Sequence, residues 1–147
     1  HKGDQRSIVH KMAGQILNGQ EVKLFKSSHP SYPDGGQMRD FVYVKDCIDV
    51  MLWFWDNPQQ QGLFNVGTGN PATFNEVATQ TFKALGYEHS KISYKDMPLE
   101  IQKHYQNYTQ ADLSSLRKAG YIKPFTPISE GIMDYIKNYF IKEDPYV

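Results

Sequence analysis

The chain holds 147 residues, enough to bury one compact core, and its 39% hydrophobic content argues against disorder. Its 16 basic and 16 acidic side chains cancel, so nothing general draws the chain to nucleic acid or an anionic membrane, and an anion must be met by local charge. Cys47 is the only cysteine, which excludes an internal disulfide and fits a reducing compartment; no apolar stretch approaches the ~20 residues of a membrane span.

Ser7 to Asn18 sets Ile8, Met12, Gln15 and Ile16 at helical spacing, with Asn18-Gly19 as the stop. Val22 to Phe25 reads as a short strand, and Lys26 to Met38, rich in Ser, Pro and Gly, as a long loop. The β-branched and aromatic run Arg39 to Val44 predicts a strand. Asp46 then caps a helix carrying Ile48, Val50, Met51, Leu52, Phe54 and Trp55, ended by Asn57-Pro58, with Asp49 in its first turn. Leu63 to Val66 reads as a strand leading through Gly67-Thr68-Gly69 to a helix whose Thr73 and Glu76 form a capping-box pattern and which stops at Leu85-Gly86. Lys91 to Tyr94 is a further strand, Met97 to Tyr108 a Pro-marked segment, and Gln110 to Ala119 a helix closed by Gly120. A last amphipathic helix, Ile128 to Ile141, sets Ile132, Tyr135, Ile136, Tyr139 and Phe140 near one face. Strand and helix alternate, the pattern of an α/β fold in one unit, 1–147.

Few residues point to chemistry unaided. Asp40 and Asp46 flank a strand and could form an acid/base or metal-binding pair, but capping and hydrogen bonding are the commoner work of Asp. The five His residues lack metal-ligand spacing, so no metal is expected. Tyr87 and Lys91 stand in a Tyr-x-x-x-Lys pattern, in which Lys lowers the Tyr pKa and the phenolate takes a substrate proton; that chemistry needs both on one helical face, whereas this segment follows a helix stop. Gly67-Thr68-Gly69 lacks the third glycine and the Lys-Ser/Thr ending of phosphate-binding loops, and reads as a tight turn. Of Trp53 and Trp55, which point in different directions on their helix, at least one is expected in the core and another at an interface or a substrate-domain contact. Arg39 is the anion candidate, since a guanidinium presents a rigid fork that matches phosphate bidentately; the alternative is an Arg paired with Asp40 or another carboxylate.

Arg39-Asp40-Phe41-Val42-Tyr43-Val44-Lys45-Asp46 and Phe64-Asn65-Val66-Gly67-Thr68-Gly69 together resemble a signature of the extended short-chain dehydrogenases, enzymes that oxidise, epimerise or dehydrate sugars attached to nucleotides. His1-Lys2-Gly3, Lys23-Leu24-Phe25, Leu52-Trp53-Phe54, Tyr105-Gln106-x-x-Thr109-Gln110-Ala111-Asp112-Leu113 and Lys118-Ala119-Gly120-Tyr121-x-Lys123-Pro124-Phe125 narrow it. Across essentially its whole length the chain is similar to the ADP-L-glycero-D-manno-heptose 6-epimerase family. The resemblance implies the C-terminal part of a Rossmann-like α/β fold with a small α/β substrate-binding domain. No strand, Gly-rich turn and helix suited to a dinucleotide pyrophosphate occurs, so the N-terminal NADP-binding half is expected to lie outside this chain, which alone is expected to be inactive.

What the resemblance implies about activity is interconversion of ADP-D-glycero- and ADP-L-glycero-D-manno-heptose for the lipopolysaccharide core, by transient NADP-dependent oxidation at C6. It carries Lys2 over as the second catalytic acid/base, beside the cofactor, the first being the Tyr of a pair outside this chain. It carries Phe25, Lys26, Ser27, Ser28, Arg39 and Tyr105 over as substrate contacts. Asp4 and Lys11 stand at two further contact positions where the family has Ser and His; His10 is adjacent, and the Lys26 to Met38 loop is longer than usual. A cytoplasmic homo-oligomer acting on a nucleotide sugar, with no nucleic acid or membrane partner, is the expectation. A UDP-sugar 4-epimerase or sugar-nucleotide dehydratase would share the strand signatures without needing Lys2 or the Tyr105 to Asp112 block, and a binding or assembly module is the non-enzymatic alternative.

Overall fold

The computed structural model describes residues 6–142. Helix α1, Ile8–Leu17, buries Met12, Ala13 and Ile16, and leads through a turn at Gly19 into β1, Val22–Phe25. Strand β2, Met38–Arg39, follows the long loop; then come α2, Val44–Asp56, β3, Ala72–Thr73, and α3, Phe74–Ala84. The remainder is β4, Ile92–Lys95, two short helices α4, Leu99–Gln102, and α5, Ser114–Ala119, and α6, Ile128–Tyr135, which continues as a π-helical turn over Ile136–Phe140.

Strands β1 and β4 pair in parallel, Val22 opposite Ile92 and Leu24 opposite Tyr94. Parallel strands need a crossover, and α3 supplies its packed part, lying against β1 and between α1 and α6. The first core forms where these meet: Met12 and Ile16 of α1, Val22 and Leu24 of β1, Val77 and Phe82 of α3, and Ile132 and Ile136 at the chain's far end. A second, smaller core gathers Val50 of α2, Leu116 of α5 and Tyr121, with Trp53, Phe54, Phe64 and Phe125 packed on it.

Local signals set most boundaries. The Thr73 hydroxyl accepts the Glu76 amide at 3.0 Å, so the expected cap of α3 forms. Helix α5 ends in a Schellman turn: the Gly120 amide donates to the Arg117 carbonyl and Tyr121 to that of Leu116, with Gly120 at φ 111, a conformation glycine adopts without a Cβ clash. Trp53 packs edge-on to Tyr121 on the second core, as expected of one indole, while Trp55 is 84% exposed.

Four expectations are corrected. The strand read over Arg39 to Val44 is confined to Met38–Arg39, paired antiparallel with β3; residues 40–43 make other contacts and α2 already begins at Val44. Asp46 is therefore not the cap of α2 but lies buried in its first turn, accepting the Thr126 amide at 2.9 Å and hydroxyl at 2.7 Å, while Asp49, one turn on, pairs with Lys123. Leu63 to Val66 is no strand, because among the described residues no neighbouring backbone forms a ladder with it; Phe64 and Val66 instead pack on the second core. Helix α5 starts at Ser114 rather than Gln110, since the Ala111 amide is drawn to Asp40 and Asp112 accepts the Ser114 amide at 2.9 Å.

Candidate functional site

Strand β2 is the frame of the site. On one side it pairs with β3, placing Arg39 opposite Ala72. On the other, the Met38 amide donates to the Asn107 carbonyl at 2.9 Å and the Thr109 amide to the Met38 carbonyl at 3.2 Å. Arg39 thus lies between the segment entering α3 and the segment following α4. Its guanidinium carbon is 5.0 Å from the Tyr105 ring centroid and 5.9 Å from that of Phe74. One Nη donates to the Met38 carbonyl at 2.8 Å, and among the described residues no carboxylate stands within ion-pair distance. The alternative of an Arg paired with Asp40 is therefore not what the fold builds. Burial raises the Tyr105 phenol above its ordinary pKa, with the Arg39 charge opposing.

The long loop closes onto the same frame. The Gly35 amide donates to the Phe25 carbonyl at 3.1 Å, Asn75 to Gly35 at 3.0 Å, and the buried Gln37 side chain reaches the Lys26 carbonyl at 3.2 Å. Ser27 is engaged within the loop, its amide donating to Asp34 at 2.8 Å and its hydroxyl to the His29 carbonyl at 2.9 Å, while Ser28 is exposed. Lys26 pairs with Asp96 at 3.0 Å, a contact that raises its pKa, and the Lys95 ammonium lies 5.2 Å from the Phe25 ring centroid. Phe25 and Lys26 are in this way joined through Gln37 to the strand that carries Arg39.

The other candidates fall elsewhere. Lys11 rides on α1, which packs on α3 and β1. His10, beside it, bonds the Tyr135 hydroxyl at 2.8 Å and meets the Phe140 ring edge-on; burial and then the Arg6 charge lower its pKa. Lys2 and Asp4 lie outside the described residues. Residues 87–91 are not helical and Tyr87 packs edge-on to Phe82, so Tyr87 and Lys91 do not share a helical face. Among the described residues no group of three or more His, Cys, Asp and Glu could hold a metal ion, and no helix is long and apolar enough to cross a membrane.

Asp40 and the glycine turn form one feature that sequence reasoning did not join. The carboxylate accepts the Thr68 amide at 2.7 Å, its hydroxyl at 2.6 Å, and the Gly69 and Ala111 amides at 2.9 Å each. Partial burial opposes its ionisation, but these bonds outweigh it and hold the carboxyl below its ordinary pKa. The amides that would make Gly67-Thr68-Gly69 a phosphate cradle are filled from within. Nothing else among the described residues offers a Gly-rich helix start suited to a dinucleotide pyrophosphate, so the described residues do not fit that cofactor.

A wide cleft lies apart from Arg39. It measures about 1030 Å³, opens between α1, residues 41–45 and α6, and is walled by Val9, His10, Phe41, Tyr43, Ile132 and Tyr139. None of the described substrate candidates lines it. At its rim Asp134 accepts Lys45 at 2.7 Å, the Tyr43 hydroxyl, and Asn138 at 2.7 Å. The Lys45 and Tyr43 bonds lower Asp134 to about 2, and burial with the Asp134 bond pushes Tyr43 up to about 12.

Comparison with known proteins agrees with this architecture. The sequence profile of the NAD dependent epimerase/dehydratase family matches residues 1–67. An ADP-L-glycero-D-manno-heptose-6-epimerase of Nitratidesulfovibrio vulgaris is 46% identical over 147 residues, all of this chain and 45% of that protein. The crystal structure of the Helicobacter pylori ADP-L-glycero-D-manno-heptose-6-epimerase superposes with a TM-score of 0.71 at 29% identity, over 92% of this chain and 38% of that one. A Thermus thermophilus UDP-glucose 4-epimerase, solved in complex with NAD, gives 0.67 at 26% identity, over 85% and 37%. The chain spans less than half the length of the curated relatives it matches, and its fold is the α/β, Rossmann-like one of those enzymes.

Proposed function

We propose that this chain, homologous over its whole length to the ADP-L-glycero-D-manno-heptose-6-epimerases, is the nucleotide-sugar-binding part of an enzyme with that activity. The observation that carries the reading is Arg39: a guanidinium held between Tyr105 and Phe74, with no carboxylate partner among the described residues. Stacking orders the fork and leaves its N–H edge for a diphosphate. Phe25, Lys26, Ser27 and Ser28 would meet the nucleotide from the loop side, and the Tyr105 hydroxyl a phosphate or sugar oxygen.

In this reading the substrate is ADP-heptose, and the C6 hydroxyl is oxidised to a ketone and then reduced on its other face, with no net redox change. NADP, held by residues beyond those described, supplies the hydride chemistry when bound. This chain's part is to anchor the nucleotide while C6 changes its presentation; Lys2 would exchange the proton in one orientation, with Asp4 and Lys11 nearby contacts. The protein is proposed to be a cytoplasmic homo-oligomer.

The exposed face of α2 supports a longer working protein. Val44, Ile48, Met51, Leu52 and Trp55 are all exposed on it, a continuous apolar surface that an enzyme of this class would cover with its dinucleotide-binding part. Conversion of ADP-D-glycero-D-manno-heptose by the intact protein, with KM raised at least about tenfold in Arg39→Ala, is the test. Turnover of UDP-glucose instead would favour the 4-epimerase reading, and no turnover of either the assembly module.

A further inference from the structure

Asp40 adjoins Arg39 just past the end of β2, yet the two side chains meet different partners. Arg39 faces Tyr105 and Phe74, while Asp40 faces inward to Thr68, Gly69 and Ala111. Three amides and a hydroxyl converging on one carboxylate make a built junction of three chain segments. The fit around it is close: a Cβ placed on Gly67 would stand 2.5 Å from the Ala111 Cβ and 2.7 Å from Asp40 Oδ2. The junction is locked again from outside, since the Gln110 side-chain Nε2 donates to the Gly69 carbonyl at 2.7 Å and the Asp40 backbone amide to the Thr109 hydroxyl at 3.4 Å.

Residues 109–111 are what Asp40 holds, and Tyr105 stands four residues before Thr109 on the same segment. Only two further backbone bonds, to Met38, tie that segment to β2. We propose that Asp40 is the positioning residue of the anion site: its carboxylate fixes the 105–111 segment on β2 so that the Tyr105 ring lies on the Arg39 guanidinium. The role rests on the reading of Arg39 and Tyr105 as a nucleotide diphosphate site. It requires a carboxylate rather than an amide. Asn at this position would turn an NH₂ toward one of the converging N–H groups, opening the junction without changing its volume.

The test uses the intact protein that contains this chain, with ADP as the probe and NOEs between selectively labelled Arg39 and Tyr105 side chains as the geometric readout. Asp40→Asn is expected to lose those NOEs and to weaken ADP binding about tenfold or more, as misplacement of a positioning contact does. A cooperative thermal transition establishes that the variant is folded. NOEs of full strength in folded Asp40→Asn overturn the proposal, whatever ADP does. Arg39→Ala separates the two readings: if it binds ADP as tightly as the parent, or if the parent does not bind, the diphosphate reading fails while the NOE arm still decides the role of Asp40. Should Asp40→Asn fail to fold, Gly67→Ala forces a methyl against both the Asp40 carboxylate and Ala111, and undiminished Arg39–Tyr105 NOEs in it overturn the proposal equally.

Discussion

The Arg39 guanidinium lies 5.0 Å from the centre of the Tyr105 ring, although the two residues sit on segments far apart in sequence. The Phe74 ring centre stands 5.9 Å from the same guanidinium. An Arg so held can be replaced by neither a mobile cation nor a neutral side chain. Arg39→Lys is expected to weaken ADP binding about tenfold, most of the loss seen in Arg39→Ala, because the ammonium lacks both the fork and the stacking plane. Tyr105→Phe keeps the ring and should cost about threefold or less, whereas Tyr105→Ala should approach Arg39→Lys; calorimetric titration with ADP ranks the four.

Gly67 is needed for space rather than for a left-handed backbone. Gly67→Ala forces a methyl into Ala111 and the Asp40 carboxylate, and is expected to destabilise the chain by about 1–3 kcal/mol. A lowered urea midpoint at unchanged slope is the signature.

Acid should loosen the protein through two carboxylates in particular. Asp40 and Asp134 both have folded pKa values below the ordinary one, about 2 for Asp134, so between the folded and unfolded values the unfolded chain binds more protons. Their stabilisation is complete above the ordinary carboxylate value of about 4 and declines as pH falls toward the folded values. Urea midpoints measured from pH 6 to pH 2 should drop in the parent, and the drop should be shallower in Asp134→Asn.

The Tyr87 and Lys91 pair offers a negative prediction. Because residues 87–91 are not helical, Tyr87→Phe and Lys91→Ala should each leave the proposed ADP-heptose turnover by the intact protein within about twofold. Loss of a catalytic acid or base would instead cost about a hundredfold or more.

Elements whose signals are local were legible. Helix α1, strands β1 and β4, the Thr73 cap of α3 and the stop at Gly120 all depend on side chains within a few residues of where they act. Arg39 was an anion candidate on the chemistry of one side chain, and that role stays a proposal. The resemblance supplied Tyr105, but nothing in the sequence pattern says that its ring and that of Phe74 flank one guanidinium.

The errors have a common origin in long-range partners. Asp46 has the composition of a cap, but Thr126 recruits its carboxylate from 80 residues away and it becomes a buried acceptor inside the helix. Leu63 to Val66 has the composition of a strand, but a strand exists only with a neighbour to share its hydrogen bonds, and among the described residues it has none.

By itself the sequence determined the α/β alternation, the helix stops, the balanced charge and the family likeness, because periodicity, capping and composition act over one or two turns of chain. Only the tertiary structure decided what Asp40 and Arg39 do. Adjacent in sequence, they meet different partners, one a junction of backbone amides and the other two aromatic rings, and both sets of partners arrive from segments that folding alone brings to β2.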